Sequence, residues 1–224
     1  MKKIVLSVLA IGAFAFTANA QTPDIKLGAK AGVNFSNLSN LNSNEDGIEI
    51  SSSMKTGFHI GVLAEIFINE KFSIQPELLY STQGAKNKIS ESDYGVAVNV
   101  NTFTKIDYIN VPIMAKYYVI DGLSIQAGPQ IGFLTSAKTK LDSFSISGTN
   151  ANITDDDIKE AYGLNDDLKK DTKSVDFGVN FGAGYELPMG LFFDARYNLG
   201  LTKVNKGDNK VKNGVFQLSV GYKF

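Results

Sequence analysis

Apolar and polar side chains alternate with a period of two in eight separate stretches of this chain. Successive side chains of a β-strand point to opposite faces, so each stretch predicts a strand with one apolar and one polar face. The sixth stretch is the clearest, because Val175, Phe177 and Val179 alternate with Asp176 and Gly178. The eight predicted strands are 25–35, 56–68, 72–83, 108–119, 123–135, 174–185, 191–201 and 214–224.

The connections between the predicted strands are alternately long and short. The long segments are 36–55, 84–107, 136–173 and 202–213, and the short turns are 69–71, 121–122 and 188–190. Short turns on one side, long loops on the other and an even number of strands are typical of outer-membrane barrels. We therefore predict an all-β fold, an eight-stranded antiparallel up-and-down transmembrane β-barrel with short periplasmic turns and long external loops.

The composition of the two strand faces indicates which one meets lipid. A soluble barrel of the lipocalin type would turn its apolar face inward, around a cavity. Most strand glycines, among them Gly28, Gly132 and Gly182, fall on the polar face. Glycine relieves crowding inside a narrow barrel but weakens a strand on a solvated surface. We therefore expect the apolar face to contact the lipid bilayer of the outer membrane.

The beginning of the chain has the pattern of an export signal. A basic start, Met1-Lys2-Lys3, precedes an apolar run over 4–16, and Ala18 and Ala20 form an A-x-A cleavage site before Gln21. We predict an exported protein of the outer membrane. This interpretation divides the chain into a cleaved signal peptide, 1–20, and a single outer-membrane β-barrel domain, 21–224.

Charge and cysteine content exclude several classes of function. The chain has 22 Lys+Arg against 23 Asp+Glu and no cysteine. A disulfide or thiolate metal site is therefore impossible, and a nucleic-acid partner is not expected. We predict no cofactor and no metal.

The polar face carries charges that a narrow lumen has to accommodate. Eight strands leave an interior that side chains just fill, and charges buried there need partners. We expect a side-chain-filled lumen with a charge network centred on Lys30, Glu77 and Arg196; a narrow channel is the alternative. The residues of the predicted lumen network are Lys30, Glu65, Glu77, Lys116, Asp176, Asp194 and Arg196.

His59 is the single histidine and falls on the lumen face near the outer rim of the second predicted strand. A rim histidine with a serine and an acid would fit a surface enzyme of the acyltransferase or protease type. No motif ties a serine or an aspartate to His59, and the predicted interior is polar. We therefore predict no enzyme and no catalytic residue, with an enzyme using His59 as the alternative.

Two further features concern local structure. In the longest predicted loop, Thr154 followed by three aspartates predicts the start of a helix. A calcium loop is the alternative, but the spaced acids and glycine of an EF-hand are missing. Pro76, Pro112 and Pro129 interrupt predicted strands, where we expect bulges or locally lost pairing.

Several segments together resemble the PorT-type outer-membrane β-barrel family. They include Gln75-Pro-Glu-Leu-Leu-Tyr80 and Ala127-Gly-Pro-Gln-Ile-Gly-Phe133, and the others are 25–36, 108–118, 176–185 and 195–201. The resemblance implies insertion by the barrel-assembly machinery, which in such proteins reads a C-terminal strand ending in Phe, and a secretion-accessory role. The corresponding insertion signal is Phe216, Leu218, Val220, Tyr222 and Phe224. We expect a structural barrel, or one that binds an unidentified protein or ligand through its external loops.

Overall fold

The chain is built almost entirely from long β-strands. The computed structural model describes residues 24–39, 43–45, 48–93, 95–148, 152–164, 167–206 and 211–224. The strands are β1 (Ile25–Ser39), β2 (Ser43–Glu45), β3 (Ile48–Asn69), β4 (Phe72–Asp93), β5 (Val96–Ile120), β6 (Leu123–Ser147), β7 (Val175–Glu186), β8 (Leu191–Gly200) and β9 (Lys212–Lys223). A helix, α1 (Asp155–Ala161), and a 3-10 helix (Leu168–Lys170) lie between β6 and β7. Within the described residues, no helix is long and apolar enough to cross a membrane.

Eight of these strands close into an antiparallel barrel. Their order around the wall is β1-β9-β8-β7-β6-β5-β4-β3, and β1 also pairs with β3. Lys30 of β1, for example, lies opposite Gly221 of β9 and Gly61 of β3. The short strand β2 pairs with the outer part of β3. Closure leaves no open edge in the membrane wall, and it confirms the predicted fold.

The apolar face of the barrel points outward. In β7, Phe181 is 49% exposed whereas its neighbour Asn180 is 1% exposed. The same alternation holds along β3, where Ile60 and Val62 are exposed and His59 is buried. The prediction that the apolar face meets lipid is therefore confirmed, and a lipocalin-like arrangement is excluded.

The short turns lie where the sequence places them. Asp121-Gly122 joins β5 to β6, and Gly122 has a φ of +79°, which an L side chain rarely adopts. Gly190, with a φ of +87°, completes the turn between β7 and β8. Residues 70–71 join β3 to β4. These turns form the periplasmic end of the barrel.

Parts of the first three predicted long loops are strands. β3 to β6 contain 22 to 25 residues each, whereas β7 to β9 contain 10 to 12. About 9–11 residues cross a bilayer, so the rest of β3 to β6 projects beyond it. We call this projection the external sheet; its segments are 48–55, 84–93, 96–107 and 136–147.

The boundaries predicted for these four strands are therefore wrong at their outer ends. Outside the membrane neither face has to be apolar, and the many Ser, Lys and Asn residues gave these segments the composition of loops. β4 ends at Asp93 and β5 begins at Val96. At about 3.3 Å per residue, the ten residues of β4 from 84 to 93 extend about 30 Å along the strand.

One face of the external sheet packs against α1. An in-register row across the sheet consists of Ile50, Ile89, Val100 and Phe144. Val100 is completely buried, α1 contacts β6, and Ile158 of α1 is buried as well. This helix fastens the segment after β6 onto the sheet.

The predicted helix cap at Thr154 is confirmed. The Thr154 hydroxyl accepts a hydrogen bond from the Asp157 backbone N–H, and the Asp157 carboxylate accepts one from the Thr154 N–H. The Thr154 hydroxyl also donates to Asp157 Oδ2 at 2.6 Å. These hydrogen bonds lower the pKa of Asp157 below its usual value. The side chains of Thr154 and Asp157 thus accept hydrogen bonds from each other's backbone N–H groups, which form a capping box at the helix start.

The three strand prolines interrupt pairing without shifting the register. Pairing between β5 and β6 runs to Pro112–Gln130 and resumes at Ala115–Ala127 in the same register. Between β4 and β5 it stops at Pro76–Ile113 and resumes at Leu79–Asn110. Pro129 still faces Val179 of β7. Lost pairing, rather than bulging, is thus the local effect of a residue without an N–H.

A positive charge on the outward face should destabilise the barrel in a depth-dependent way. Val179→Arg places a guanidinium near the middle of the lipid-facing wall, so we expect a loss of about 2–4 kcal/mol in the free energy of unfolding. Ser145→Arg, on the external sheet, is the matched control and should change little. Urea unfolding in phospholipid vesicles measures both. Equal stability of the two variants would contradict the assignment of the outward face to lipid.

Candidate functional site in the barrel lumen

The polar faces of the strands converge in the lumen, where charged side chains are fully buried. Lys30 lies in β1, Glu77 in the inner part of β4, and Asp194 and Arg196 near the middle of β8. Each is at most 6% exposed. Strand alternation alone directs them inward, because each has apolar neighbours that face the lipid. We call these four residues the central tetrad.

Glu77 binds both cations of the central tetrad. Arg196 holds the Glu77 carboxylate with two guanidinium nitrogens, Nη1 to Oε2 at 2.9 Å and Nη2 to Oε1 at 2.7 Å. Lys30 Nζ lies 3.0 Å from Glu77 Oε2. Asp194 completes the group. Its Oδ2 lies 3.4 Å from Lys30 Nζ, and its Oδ1 lies 3.2 Å from Arg196 Nε. Two positive and two negative charges make the tetrad neutral, as buried charges require.

The Arg196–Glu77 pair spans the whole barrel. In the circular strand order, β8 and β4 are four positions apart in either direction. The two side chains therefore reach from opposite walls and meet in the lumen. A bidentate arginine–carboxylate pair fixes both the distance and the relative orientation of its two side chains, so it holds the opposite walls at a defined separation.

A second group of charges lies towards the periplasmic end. We call Lys26, Glu65, Lys116, Glu186 and Lys223 the periplasmic cluster. Glu65 pairs with Lys116 at 3.0 Å and with Lys223, and the Tyr118 hydroxyl donates to it at 2.7 Å. Glu186 pairs with Lys223 at 2.6 Å and with Lys26 at 3.0 Å.

The structure brings six of the seven predicted network residues into these two groups. Asp176 lies apart, near the outer end of β7, and the prediction that it belongs to the charge network differs from the structure. Its carboxylate accepts hydrogen bonds from Thr202 at 2.6 Å and Asn213 at 2.9 Å. Neutral donors satisfy Asp176 because the lumen contains few cations at that depth.

Above the central tetrad the lumen is lined by neutral polar groups around His59. The His59 ring lies between Asn34 Oδ1, 2.7 Å from Nδ1, and Ser219 Oγ, 2.8 Å from Nε2. This order of groups is that of a serine, histidine and amide triad. His59 is 1% exposed, however, and a Cβ added to Gly32 would come within 2.6 Å of its ring. Ser219 is also buried, at 7% exposed, so a substrate outside the barrel does not reach its hydroxyl.

An apolar cluster covers the outer mouth of the lumen. Leu38, Ile106 and Tyr108 from the barrel wall pack with Val204 and Val211, which lie between β8 and β9. All five are at most 6% exposed. We call this group the apolar cap. Water and ions entering from outside would have to displace it.

Two of the free spaces in the barrel are a small void and a wider recess. A void of about 10 Å³ lies among Gln75, Gln126 and Arg196, which is about the space of one water molecule. A wider recess of about 390 Å³ opens at the periplasmic mouth, between Lys26, Phe67 and Tyr118. It ends at the periplasmic cluster.

Several contributors to the lumen were not found from the sequence. The amide groups of Asn34 and Gln75 and the hydroxyl of Tyr118 have the alternation of lumen residues but no charge to mark them. Val204 and Val211 fall in a polar connection, and only their apolar character amid polar neighbours could have indicated a cap. Across the residues that the structure describes, no group of His, Cys, Asp and Glu could hold a metal ion.

The other predicted site residues are placed as follows. Ala18, Ala20 and Gln21, the predicted cleavage site, lie outside the described residues. The predicted insertion-signal residues of the last strand face outward, and Phe224 N–H donates to the Leu27 carbonyl at the closing seam. Their role in insertion stays a prediction.

A closed eight-stranded wall with an apolar outer face and a packed polar lumen defines an integral outer-membrane β-barrel protein. Comparison with protein families agrees with this class. Residues 19–206 match the model described as "Outer membrane protein beta-barrel domain". The chain belongs to this family, and its location is the outer membrane.

Several solved structures are similar to this chain. Neisserial surface protein A (NspA) is 17% identical, with a TM-score of 0.48, over 88% of this chain and 97% of that one. Ail of Yersinia pestis, in complex with the heparin analogue sucrose octasulfate, is 14% identical with a TM-score of 0.43, over 90% and 99%. OprG of Pseudomonas aeruginosa is 13% identical with a TM-score of 0.40, over 92% and 98%. No curated protein matches the chain.

Removing the charge of Glu77 should strongly destabilise the barrel. Glu77→Gln keeps the shape but leaves Lys30 and Arg196 with one buried carboxylate between them. We expect a loss of about 3–5 kcal/mol, the usual cost of breaking a buried ion pair. The measurement is the free energy of unfolding in phospholipid vesicles.

The matched control is Asp156→Asn, which removes the exposed ion pair with Lys159 in α1. It should leave the unfolding midpoint unchanged, because exposed pairs contribute little. A Glu77→Gln barrel as stable as this control would show that the central tetrad is not what holds the walls together.

Proposed function

We propose that this protein is a non-conducting, non-enzymatic barrel that anchors an external β-sheet at the cell surface and binds a protein or ligand through it. The observation that carries this proposal is the Arg196–Glu77 pair across the lumen, with the apolar cap above it. A barrel whose interior is filled in this way serves as a rigid support. Its accessible surface for partners is the part that projects.

Three features support the absence of transport and catalysis. The central tetrad is neutral and buried, so it offers no uncompensated charge to attract a permeating ion. The apolar cap adds a second barrier at the outer mouth. Ser219 and His59 are both buried inside the barrel.

The external sheet is the feature that the barrel alone does not require. Four strands continue about ten residues beyond the length needed to cross the bilayer, and α1 packs against one face of them. Such an extension presents backbone edges, a tip and a broad polar face to the outside. A secretion-accessory role, as the PorT-type resemblance implies, is one form of this proposal.

Single-channel recording tests the filled lumen. The purified barrel is reconstituted into planar bilayers, and insertion is checked in parallel by flotation of proteoliposomes. We expect no steady conductance steps, because the lumen holds space for only about one water molecule at the tetrad. A steady nanosiemens conductance from the inserted protein would overturn the non-conducting assignment.

Shortening the external sheet tests where partners bind. The gene is deleted, secreted and surface proteins are surveyed, and the strain is complemented with the full chain or with a variant whose residues 90–99 are replaced by Asn-Gly. Ile89 and Val100 are an in-register pair, so a two-residue turn can join them. We expect the full chain alone to restore the missing surface or secreted proteins.

The matched control for this variant is Ser145→Arg, a single change in the same sheet outside the replaced residues. Heat-modifiable migration in detergent shows whether each barrel is folded. Full complementation by the shortened, folded barrel would place the function elsewhere than in the tip of the external sheet.

A further inference from the structure

The outward face of the external sheet carries lysines in adjacent in-register rows. The lower row has Lys105 opposite Lys138, with Gly84 as the β4 partner. The next row has Lys86, Phe103 and Lys140 side by side. The third row contains Lys88. Lys55 of β3 is close enough to Lys105 and Lys86 to interact with their charges. We call this group the basic face; its residues are Lys55, Lys86, Lys88, Lys105, Lys138, Lys140 and Phe103.

Most of these charges have no carboxylate partner. Lys105 pairs with Asp107 at 3.2 Å. Among the residues that the structure describes, no acid lies within ion-pair distance of Lys86, Lys88, Lys138 or Lys140, all of which are exposed. The other nearby acids are Glu49, one row above Lys88, Asp142, in the bulge beside it, and Asp167, at the β6 edge.

The lysines are also close enough to repel one another. Partial burial, followed by the neighbouring ammonium of Lys105, lowers the pKa of Lys55, and Lys86 contributes in the same direction. Asp107 opposes this effect. Like charges held together on a rigid sheet gain stability when an anion binds between them.

The basic face continues the lipid-facing wall directly. The outermost apolar row of this side consists of Tyr80, Ile109 and Phe133, which pair in register. Lys105 precedes Ile109 by four residues on the same face of β5, so it lies farther out by about 13 Å along the strand, or about 10 Å along the membrane normal at a tilt of about 40°. Long lysine side chains reach further down.

The backbone of the lower row is therefore about 3–5 Å beyond the lipid headgroups, which occupy about 5–7 Å of each leaflet, and its lysine side chains reach back down into that layer. The second row, with Lys86 and Lys140, lies about 7 Å higher along the strand. An ordinary phospholipid headgroup would meet only the lower row. A lipid with a large saccharide headgroup bearing phosphates would meet both.

We propose that the basic face binds phosphorylated glycolipid of the outer leaflet, with phosphates between the lysine rows and sugar packed on Phe103. Continuity with the lipid-facing wall favours this occupant over a soluble polyanion, because the lipid is held against the face by the membrane itself. Clustered lysines near a membrane surface attract anionic lipid in the same way. This binding does not depend on the function proposed above.

The test compares lipid retention by matched triple variants. The full-length barrel is placed in nanodiscs of phosphatidylcholine with a small fraction of diphosphoryl lipid A or of its dephosphorylated form, and bound lipid is counted by native mass spectrometry. Lys86→Gln/Lys138→Gln/Lys140→Gln removes three lysines of the basic face. Lys71→Gln/Lys159→Gln/Lys170→Gln removes three exposed lysines elsewhere and has the same net charge.

We expect the wild-type protein and the control triple to retain diphosphoryl lipid A several-fold more than the dephosphorylated form. The basic-face triple should lose this preference while its heat-modifiable migration stays unchanged. Equal retention by both triple variants would overturn the proposal. So would tighter binding of a soluble heparin fragment than of lipid A, since that result would assign the face to a sulfated glycan.

If the basic-face triple does not fold, charge reversal at one exposed position decides instead. Lys140→Glu alone should weaken lipid A retention relative to Lys159→Glu, with a larger difference at low salt because the attraction is electrostatic. The absence of any difference between these two single variants at low salt would reject the proposal.

Discussion

Lipid offers no partner for a backbone N–H or C=O, so the wall of this protein has to satisfy its own hydrogen bonds. The pairing of β1 with both β9 and β3 meets this requirement by closing the sheet. Closure at eight strands then sets the width of the lumen, which is too narrow to remain an open channel once side chains fill it. The glycines at close strand contacts follow from the same width: a Cβ on Gly61 would lie 2.0 Å from the Leu78 carbonyl oxygen. The interior is thus determined by the wall, and each buried charge must find its partner inside.

The arrangement of charges along the barrel axis follows from that requirement. Glu77 and Arg196 neutralise each other at the centre, where both side chains are buried, and Lys30 and Asp194 complete a neutral group. The periplasmic cluster holds three lysines with two glutamates, and this uneven count is possible because Lys26 and Glu186 lie partly open to the recess at the mouth. Towards the outside, amides and then apolar side chains replace charge. Buried ion pairs contribute little net stability compared with apolar packing, but they are costly to break. The central tetrad therefore favours one relative position of the opposite strands β4 and β8.

The sequence was informative within the membrane, where lipid constrains one face of each strand and the narrow lumen constrains the other. It was less informative elsewhere. Inside the membrane, alternation had to be strict, so the eight strands, their short turns and the inward direction of Lys30, Glu77 and Arg196 followed from periodicity alone. Beyond the membrane the constraint ends, and Val96, Val98 and Val100 alternate among polar residues in a segment that composition indicated to be a loop. The trio of Lys30, Glu77 and Arg196 was predicted as a group, but the individual ion pairs were not, because they depend on the depth and reach of each side chain in the lumen. Asp176 illustrates this: its inward direction was correct, but its depth placed it among neutral donors.

The unequal lengths of the strands give this barrel a direction within the plane of the membrane. β3 to β6 rise as a continuous sheet on one side, while β7 to β9 end near the membrane surface on the other. A neighbour that diffuses laterally therefore meets a tall polar wall from one side and a low rim from the opposite side. Contacts with other membrane components can consequently occur in a fixed rotational orientation, although the transmembrane part itself is close to cylindrical. The protein therefore has two different sides in the plane of the membrane, in addition to its different periplasmic and external ends.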